Sequence, residues 1–390
     1  MNISTRLPDN FSPNSLTKLL NRLKTDSIPL SDLTVSNPTE CGFIFPVDDI
    51  LSALTNSDIF THQPDPQGAL GARIAISEMY EGIVDPEHIQ LTASTSEAYS
   101  TLFKLLGNPG DNIVTPSPAY PLFEWLTRLE GLVCKTVPSF YDQGWWLDIE
   151  AINRACDSKT KAIVVVNPNN PTGQFITRTE WDNLTQIATE KNLPLIVDEV
   201  FSVYPIEAQT DALHSVVNEP TPKCSVFVLS GLSKVAVLPQ LKLSWVAMLG
   251  MARALADHLA FIADQYLSVS SPIACAVPKL LMIAPKLQKQ VLARMKENLC
   301  QLDHLLLRHP HLRRLPVYGG WSVLIQRPDI EDDEKCVLRL LSDFQLLIYP
   351  GHFFDIHKNG FLVASLLPEP ATFGVAIKKL LKALELNRCN

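Results

Sequence analysis

The sequence predicts an α/β fold in which helices cover a mostly parallel β-sheet, with a smaller α+β domain attached. Three short apolar runs support this prediction, at residues 162–166, 195–197 and 226–229. None of them alternates with polar residues, as is typical of parallel strands buried on both faces. Between the first two runs, residues 177–191 have the apolar spacing of a helix and can form the crossover that parallel strands need.

The other strands and helices are predicted in the same way, from short apolar runs and from apolar residues at helical spacing. Strands are predicted around Leu91 and at residues 112–115, 132–137, 162–166, 195–197, 226–229, 322–325, 346–349 and 361–365. Helices are predicted at residues 97–106, 120–130, 177–191, 252–309, 334–344 and 373–386. Because proline removes a helix hydrogen bond, the long helical region should break near Pro272, Pro278 and Pro285. We expect a large domain over residues 49–287, and a small domain formed by residues 1–48 and 288–390.

Composition and charge exclude several classes of protein. The chain has 390 residues, 46% of them hydrophobic, which is enough for a large core. Its net charge of −8 argues against a nucleic-acid-binding protein. No apolar stretch approaches the roughly 20 residues of a membrane span, and the N-terminus lacks an apolar signal core, so we expect a cytoplasmic protein. Cysteines and histidines show no metal-ligand spacing, and no Gly-x-Gly-x-x-Gly or Walker loop occurs.

Polar residues follow each of the three apolar runs directly. Asn170 lies in the segment after the first run, Asp198 comes immediately after the second, and Lys234 follows the third. Residues 92–97, after the strand around Leu91, are rich in hydroxyl groups and open a helix, which makes them a candidate anion site. Since ligands of open α/β sheets bind beyond the carboxyl ends of the strands, these groups should meet in one site.

This set of groups matches the needs of pyridoxal phosphate chemistry. A lysine can form a Schiff base with a carbonyl group, and an acid can pair with the pyridinium nitrogen to make the ring an electron sink. Lys234 and Asp198 would fill these two roles. Asn170 would donate to the ring oxygen, and the helix start at residues 94–96 would bind the phosphate.

The same segments resemble the class I/II aminotransferases, which are fold-type I pyridoxal phosphate-dependent enzymes akin to aspartate and alanine aminotransferases. The resemblance runs from residue 36 to the final helix. It rests on residues 64–68 (PDPQG) with Arg73, 91–98 (LTASTSEA), 109–111 (PGD), 116–121 (PSPAYP), 167–173 (NPNNPTG), 198–201 (DEVF) and 230–234 (SGLSK). Any one of these motifs is weak, but their order and spacing together are highly specific.

The resemblance implies a pyridoxal phosphate-dependent aminotransferase that moves an amino group between an amino acid and a 2-oxo acid. It also implies a homodimer with sites at the subunit interface. By resemblance, Lys234 is the Schiff-base lysine and the base that moves the 1,3-proton, and Asp198 pairs with the pyridine nitrogen. Asn170 contacts the ring hydroxyl, Tyr120 stacks on the ring, and Asn37 lies near the substrate carboxylate. The resemblance also implies that four residues hold the phosphate, namely Ser94, Thr95, Ser230 and Lys242.

The chain departs from the family pattern at several positions. Phe201 stands where a tyrosine often bonds the ring oxygen, Gln63 replaces a tyrosine that reaches across the dimer, and Lys242 replaces an arginine. The arginine that grips the substrate carboxylate should fall near Val363, and the nearest arginine is Arg327. Ser94, Val237 and Ser244 stand where relatives commonly carry glycine. Two alternatives therefore stay open: lyase chemistry on the same scaffold, and a non-catalytic pyridoxal phosphate-binding module.

Overall fold

The computed structural model describes residues 3–267, 269–328 and 331–386. The helices are α1 (Ser15–Thr25), α2 (Val47–Leu54), α3 (Leu70–Met79), α4 (Thr95–Leu106), α5 (Phe123–Leu129), α6 (Ile149–Ala155), α7 (Arg178–Lys191), α8 (Leu232–Val235), α9 (Ala256–Asp264), α10 (Ser271–Leu306), α11 (Asp333–Phe344) and α12 (Pro370–Leu386). The strands are β1 (Ser31–Asp32), β2 (Ile89–Thr92), β3 (Asn112–Ser117), β4 (Val133–Pro138), β5 (Phe140–Tyr141), β6 (Trp145–Trp146), β7 (Thr160–Val166), β8 (Leu195–Asp198), β9 (Ser225–Gly231), β10 (Ser244–Gly250), β11 (Arg313–Arg314), β12 (Ser322–Gln326), β13 (Leu346–Leu347), β14 (Tyr349–Pro350) and β15 (Phe361–Ser365).

A seven-stranded sheet forms the centre of the large part of the molecule, with strand order β2-β10-β9-β8-β7-β3-β4. Only β10 runs antiparallel to its neighbours. Successive residues of β7 enter different hydrophobic clusters, with Ile163 on one face of the sheet and Val164 on the other. Burial on both faces explains why the apolar runs do not alternate, and the predicted mostly parallel α/β fold is confirmed.

The carboxyl ends of β2, β3, β7, β8 and β9 lie at one edge of this sheet. Because β10 is antiparallel, its first residue, Ser244, reaches the same edge and pairs in register with Thr92 and Gly231. The loops after the parallel strands and the loop before β10 therefore converge. This convergence places the sequence-predicted site residues of six segments within one region of the fold.

A second core surrounds the four-stranded antiparallel sheet β11-β12-β15-β14. The N-terminal segment joins this unit, because β1 pairs with β13 and the amide of Ser365 donates to the carbonyl of Leu33 at 2.7 Å. We propose the domain division 49–287 against 1–48 plus 288–390. Its second boundary lies inside α10, which contacts α2 and α3 of the large part as well as α12 of the small part.

Two details of the predicted elements are wrong. The helix α10 begins beside Pro272, as expected, but it continues through Pro278 and Pro285 over 36 residues. Buried neighbours of the two prolines, including Val277 and Ala284, pack into the large core and hold the helix together despite the missing hydrogen bonds. The predicted strand at 346–349 is two short strands in different sheets, because β13 pairs with β1 while β14 pairs with β15.

None of the helices that the structure describes is both long and apolar enough to cross a bilayer. Among the described residues, no cluster of three or more His, Cys, Asp or Glu side chains is placed to hold a metal ion.

Candidate active site

A cavity of about 700 Å³ opens at the carboxyl edge of the large sheet, between this sheet and the small antiparallel sheet. Its size is within the range of roughly 300–1,000 Å³ that is usual for small-molecule sites. The sequence-predicted site residues that line it are Ser94, Thr95, Tyr120, Asn170, Asp198, Lys234 and Lys242. Val363, at the position where the family arginine is expected, lines it as well.

Lys234 lines the cavity from the short helix α8, which follows β9. Its Nζ atom lies 4.6 Å from the ring centroid of Trp321 and 5.4 Å from that of Phe201. Burial penalises the charged amine and lowers its pKa to about 8, although the nearby charge of Asp198 opposes this shift. Near neutral pH a minority of the lysine is therefore uncharged, but this nucleophilic fraction is far larger than that of an ordinary lysine.

The backbone around Lys234 is tightly held. Its carbonyl oxygen accepts a hydrogen bond from the Tyr204 hydroxyl at 2.6 Å. Gln288 donates to the carbonyl of Val235 at 2.6 Å. Val237, three residues on, has a φ of +60°, which is strained for a β-branched residue. This strained position is one of those where the family resemblance leads us to expect glycine.

Asp198 is the last residue of β8, and its carboxylate is buried. Its Oδ2 atom accepts a hydrogen bond from the Tyr99 hydroxyl at 3.0 Å, and its Oδ1 atom accepts one from the amide of Val200 at 3.1 Å. Burial raises the pKa of Asp198 to about 6, while these donors and Lys234 favour its ionised form. A buried carboxylate of this kind gains most from a cationic partner.

A second buried carboxylate, Glu199, supports the loops behind Asp198. It accepts hydrogen bonds from the Ser215 hydroxyl at 2.6 Å, from the amide of Val216 at 2.7 Å and from the Asn167 side chain at 3.3 Å. Burial raises the pKa of Glu199 to about 7. Asn167 also donates to the carbonyl of Leu213 at 2.8 Å, so this network fixes the start of the loop that carries Asn170.

An anion-binding geometry forms where β2 leads into α4. Ser94 caps the helix, its Oγ atom accepting from the amide of Glu97 at 3.1 Å, and Thr95 and Ser96 follow in the first turn. All three residues line the cavity, with Lys242 and Ser244 beside them. A helix N-terminus, hydroxyl groups and an ammonium group together suit a phosphate.

Tyr120 and Asn170 come from the loops after β3 and β7. Tyr120 is 45% exposed, so there is room on its ring face for another planar group. The loop carrying Asn170 is anchored by Asn169, whose side chain donates to the carbonyl of Pro118 at 2.9 Å. It ends at Gly173, with φ +71°, where a Cβ atom would lie 2.6 Å from the carbonyl oxygen of Gly319.

Three candidate residues do not reach the cavity. Ser230 is buried within β9 and is not among the residues that line it. The Asn37 side chain instead caps a short 3₁₀ turn, accepting from Thr39 and donating to Glu40. Arg327 forms a buried ion pair with Asp333 and does not line the cavity.

A protein-family model described as aminotransferase class I and II matches residues 32–362 of this sequence. The chain belongs to this family. The resemblance inferred from the motifs is confirmed, and so is the aminotransferase class predicted from it.

Relatives and solved structures agree with this assignment. The chain is 26% identical to the glutamate–pyruvate aminotransferase AlaA of Haemophilus influenzae, over 93% of this chain and 92% of that protein. It is 27% identical to an alanine aminotransferase of Mycobacterium bovis, covering 92% and 86% respectively. The structure of an alanine aminotransferase from Pyrococcus furiosus superposes with a TM-score of 0.86 at 24% identity, covering 99% of this chain and 100% of that one. This structural likeness confirms the fold-type I architecture.

The residues of the cavity fit the cofactor of this family. Pyridoxal phosphate carries an aldehyde, a pyridine nitrogen, a ring hydroxyl and a phosphate. The cavity offers an amine, a carboxylate, an amide and a helix N-terminus with Lys242, one group for each. Gly231 adds to this fit, because a Cβ atom there would collide with the Ser244 hydroxyl at the cavity wall.

Sequence reasoning missed Tyr99 and Trp321 and did not assign a role to Glu199. Tyr99 lies on the buried face of α4, where an aromatic residue is usually part of the core, and its partner is 99 positions away. Trp321 follows two glycines at the start of β12 and gives no local signal of its contact with Lys234. Glu199 directly follows Asp198, and a second acid after a buried strand was a signal of a buried network.

Proposed function

We propose that this protein is a homodimeric, cytoplasmic aminotransferase that holds pyridoxal phosphate through Lys234 and exchanges an amino group between an amino acid and a 2-oxo acid. One observation carries the proposal: Lys234, Asp198 and the start of α4 line a single cavity at the carboxyl edge of the sheet. Bound pyridoxal phosphate supplies a reactive carbonyl and a ring that accepts electrons from the substrate Cα atom.

Lys234 would serve first as the attachment point and then as the proton carrier. Its lowered pKa leaves the Nζ atom able to attack a carbonyl near neutral pH. Its uncharged amine would also be able to accept a proton from the substrate Cα atom and to donate that proton later in the reaction. The rings of Trp321 and Phe201 limit the access of water to Nζ, which protects this transfer.

Asp198 would hold the pyridine nitrogen in its protonated form. Tyr99 and Val200 orient its carboxylate and leave it without a cationic hydrogen-bond partner among the described residues. A protonated ring nitrogen would provide that partner, since a buried carboxylate is stabilised by a paired positive charge. Asn170 would donate to the ring oxygen, and Ser94, Thr95 and Lys242 would bind the phosphate.

The named relatives support an amino acid and a 2-oxo acid as the substrate classes. Two of them are alanine or glutamate–pyruvate aminotransferases, and a tyrosine aminotransferase of Bos taurus is 22% identical over 86% of this chain.

An exposed apolar face supports the homodimer. Large apolar side chains are exposed on α2, α3, α10 and the 3₁₀ turn between α2 and α3, namely Val47, Leu51, Phe60, Leu70, Ile74 and Met282. The helices α2 and α3 and the 3₁₀ turn between them each contact α10. Exposed apolar side chains on packed neighbouring elements are typical of an interaction surface, and a second copy of the chain is the occupant we propose.

The test is to incubate the pyridoxal phosphate-loaded protein with an amino acid and a 2-oxo acid and to follow the new amino acid and the new 2-oxo acid. Equal amounts of both products, with no ammonia, support the proposal. Lyase chemistry is the second candidate, because Val363 stands in the cavity wall where the family arginine is expected. Release of ammonia and a 2-oxo acid without any acceptor would favour the lyase instead.

A further inference from the structure

We propose, resting on the proposed aminotransferase function, that the amino donor carries a bulky uncharged side chain, aromatic or branched apolar. This side chain would pack on three cavity residues, Tyr349, Phe353 and Phe354, which we call the aromatic wall.

The aromatic wall is built from one short segment of the small domain. Tyr349 belongs to β14, and its ring centroid lies 5.9 Å from that of Phe353 and 6.2 Å from that of Phe354. The carbonyl of Phe354 accepts a hydrogen bond from the amide of Ala119 at 3.1 Å. This bond ties the wall to the residue before Tyr120, so the wall stands next to the cofactor side of the cavity.

The surface around the wall is uncharged. Val363 and four residues with hydroxyl groups complete this end of the cavity, namely Thr34, Ser36, Ser322 and Ser365. Ser322 and Ser365 face each other in register on β12 and β15. They offer neutral donors to one carboxylate, which every amino acid has.

The cationic side chains that line the cavity are not free to bind a second carboxylate of the substrate. Of the described residues that line the cavity, only Lys234 and Lys242 are cationic, and both are used by the proposed cofactor site. Just beyond the wall, burial raises the pKa of Asp355, the charge of His357 opposes this rise and that of Glu124 adds to it, so these charges favour neither substrate class.

The energetics discriminate between the two substrate classes. Moving a carboxylate from water to a site without a cation carries a large desolvation cost. An aromatic or branched side chain instead gains from burial and from edge or stacked contacts with the rings of the wall. The site should therefore prefer phenylalanine, tyrosine or leucine to aspartate and glutamate.

A binding experiment tests this preference without turnover. Dissociation constants of 3-phenylpropionate and glutarate are measured by calorimetry on the pyridoxal phosphate-loaded protein. We expect 3-phenylpropionate to bind at least about tenfold more tightly, which corresponds to roughly 1.4 kcal/mol. Equal or tighter binding of glutarate would overturn the inference.

Variants of the wall sharpen the test. Phe353→Ala removes a half-buried ring and should weaken 3-phenylpropionate about tenfold while leaving acetate binding unchanged. Phe353→Arg should reverse the preference toward glutarate, because it places a cation beside the second carboxylate. Phe140→Ala is the matched control, since Phe140 is exposed on β5 and does not line the cavity. An effect of equal size in Phe140→Ala would also overturn the inference.

Turnover separates this inference from the proposed function. We expect kcat/KM for phenylalanine or leucine to exceed that for glutamate, aspartate and alanine. If glutamate or alanine is the better donor, the aminotransferase stands and this inference fails. If no amino acid in the panel transfers its amino group, the proposed function fails and the inference fails with it.

Discussion

Replacing Tyr99 with phenylalanine isolates the hydrogen bond that orients Asp198. In the wild-type protein the Tyr99 hydroxyl is one of two donors to this buried carboxylate, at 3.0 Å. Among the described residues, its loss leaves the amide of Val200 as the remaining hydrogen-bond donor to Asp198 and raises the pKa of Asp198 further. A hydrogen bond to a charged group is worth about 1.5–3 kcal/mol. We therefore expect pyridoxal phosphate to bind about 10- to 100-fold more weakly near neutral pH, at roughly 1.4 kcal/mol per tenfold.

The pH dependence distinguishes this effect from a general loss of packing. The defect should grow as the pH falls from about 8 to about 6, because the variant then protonates Asp198 while the wild-type protein keeps it ionised longer. Affinity is measured by fluorescence titration of the cofactor-free protein. Tyr80→Phe is the control, since Tyr80 is a half-buried tyrosine whose hydroxyl accepts a hydrogen bond from Trp245 and does not line the cavity. A defect that is independent of pH, or equal in both variants, would refute the role assigned to Tyr99.

Three further predictions concern charge and assembly. The rate at which the cofactor-free protein captures an aldehyde at Lys234 should rise with pH around a midpoint near 8. A midpoint near the ordinary lysine pKa would show that burial does not lower the pKa of Lys234. Burial raises the pKa of Glu199 from 4.5 in the unfolded chain to about 7 in the folded protein, so the folded state binds the proton more tightly. The resulting contribution to the free energy of unfolding is fully present below pH 4.5 and is lost as the pH rises to about 7. Urea unfolding of Glu199→Gln should show a flatter pH dependence over this window, and an unchanged slope would remove Glu199 as its source. Leu70→Glu places a charge on the exposed apolar face and should shift the protein from dimer to monomer in light scattering, with a dimer of unchanged stability counting against this interface.

Much of the large domain could be predicted from sequence, because its strands carry a local signal. Residues 162–166 are apolar without alternation, and the structure places Ile163 and Val164 in cores on opposite faces of the sheet. The prediction fails at the interior prolines of α10 because local propensity opposes the helix there, while packing of residues distant in sequence sustains it. The split of residues 346–349 depends on β1, which lies more than 300 positions earlier.

The candidate site was predictable where a residue directly follows a strand. Asp198 and the loop carrying Asn170 could be placed because parallel strands end at one edge. Asn37 could not, since its use as a local cap depends on the backbone of the next three residues. Tyr99 and Trp321 reach the site only through the packing of α4 and of the small sheet, and no periodicity records those contacts.

Reduction of the pyridoxal phosphate-loaded protein with borohydride tests the central claim most directly. The reduced protein is digested, and mass spectrometry locates the residue that carries the cofactor. We predict the label on Lys234, and loss of that label in Lys234→Ala. A label on Lys242 or on any other lysine of the wild-type protein would contradict the assignment of this cavity as the active site.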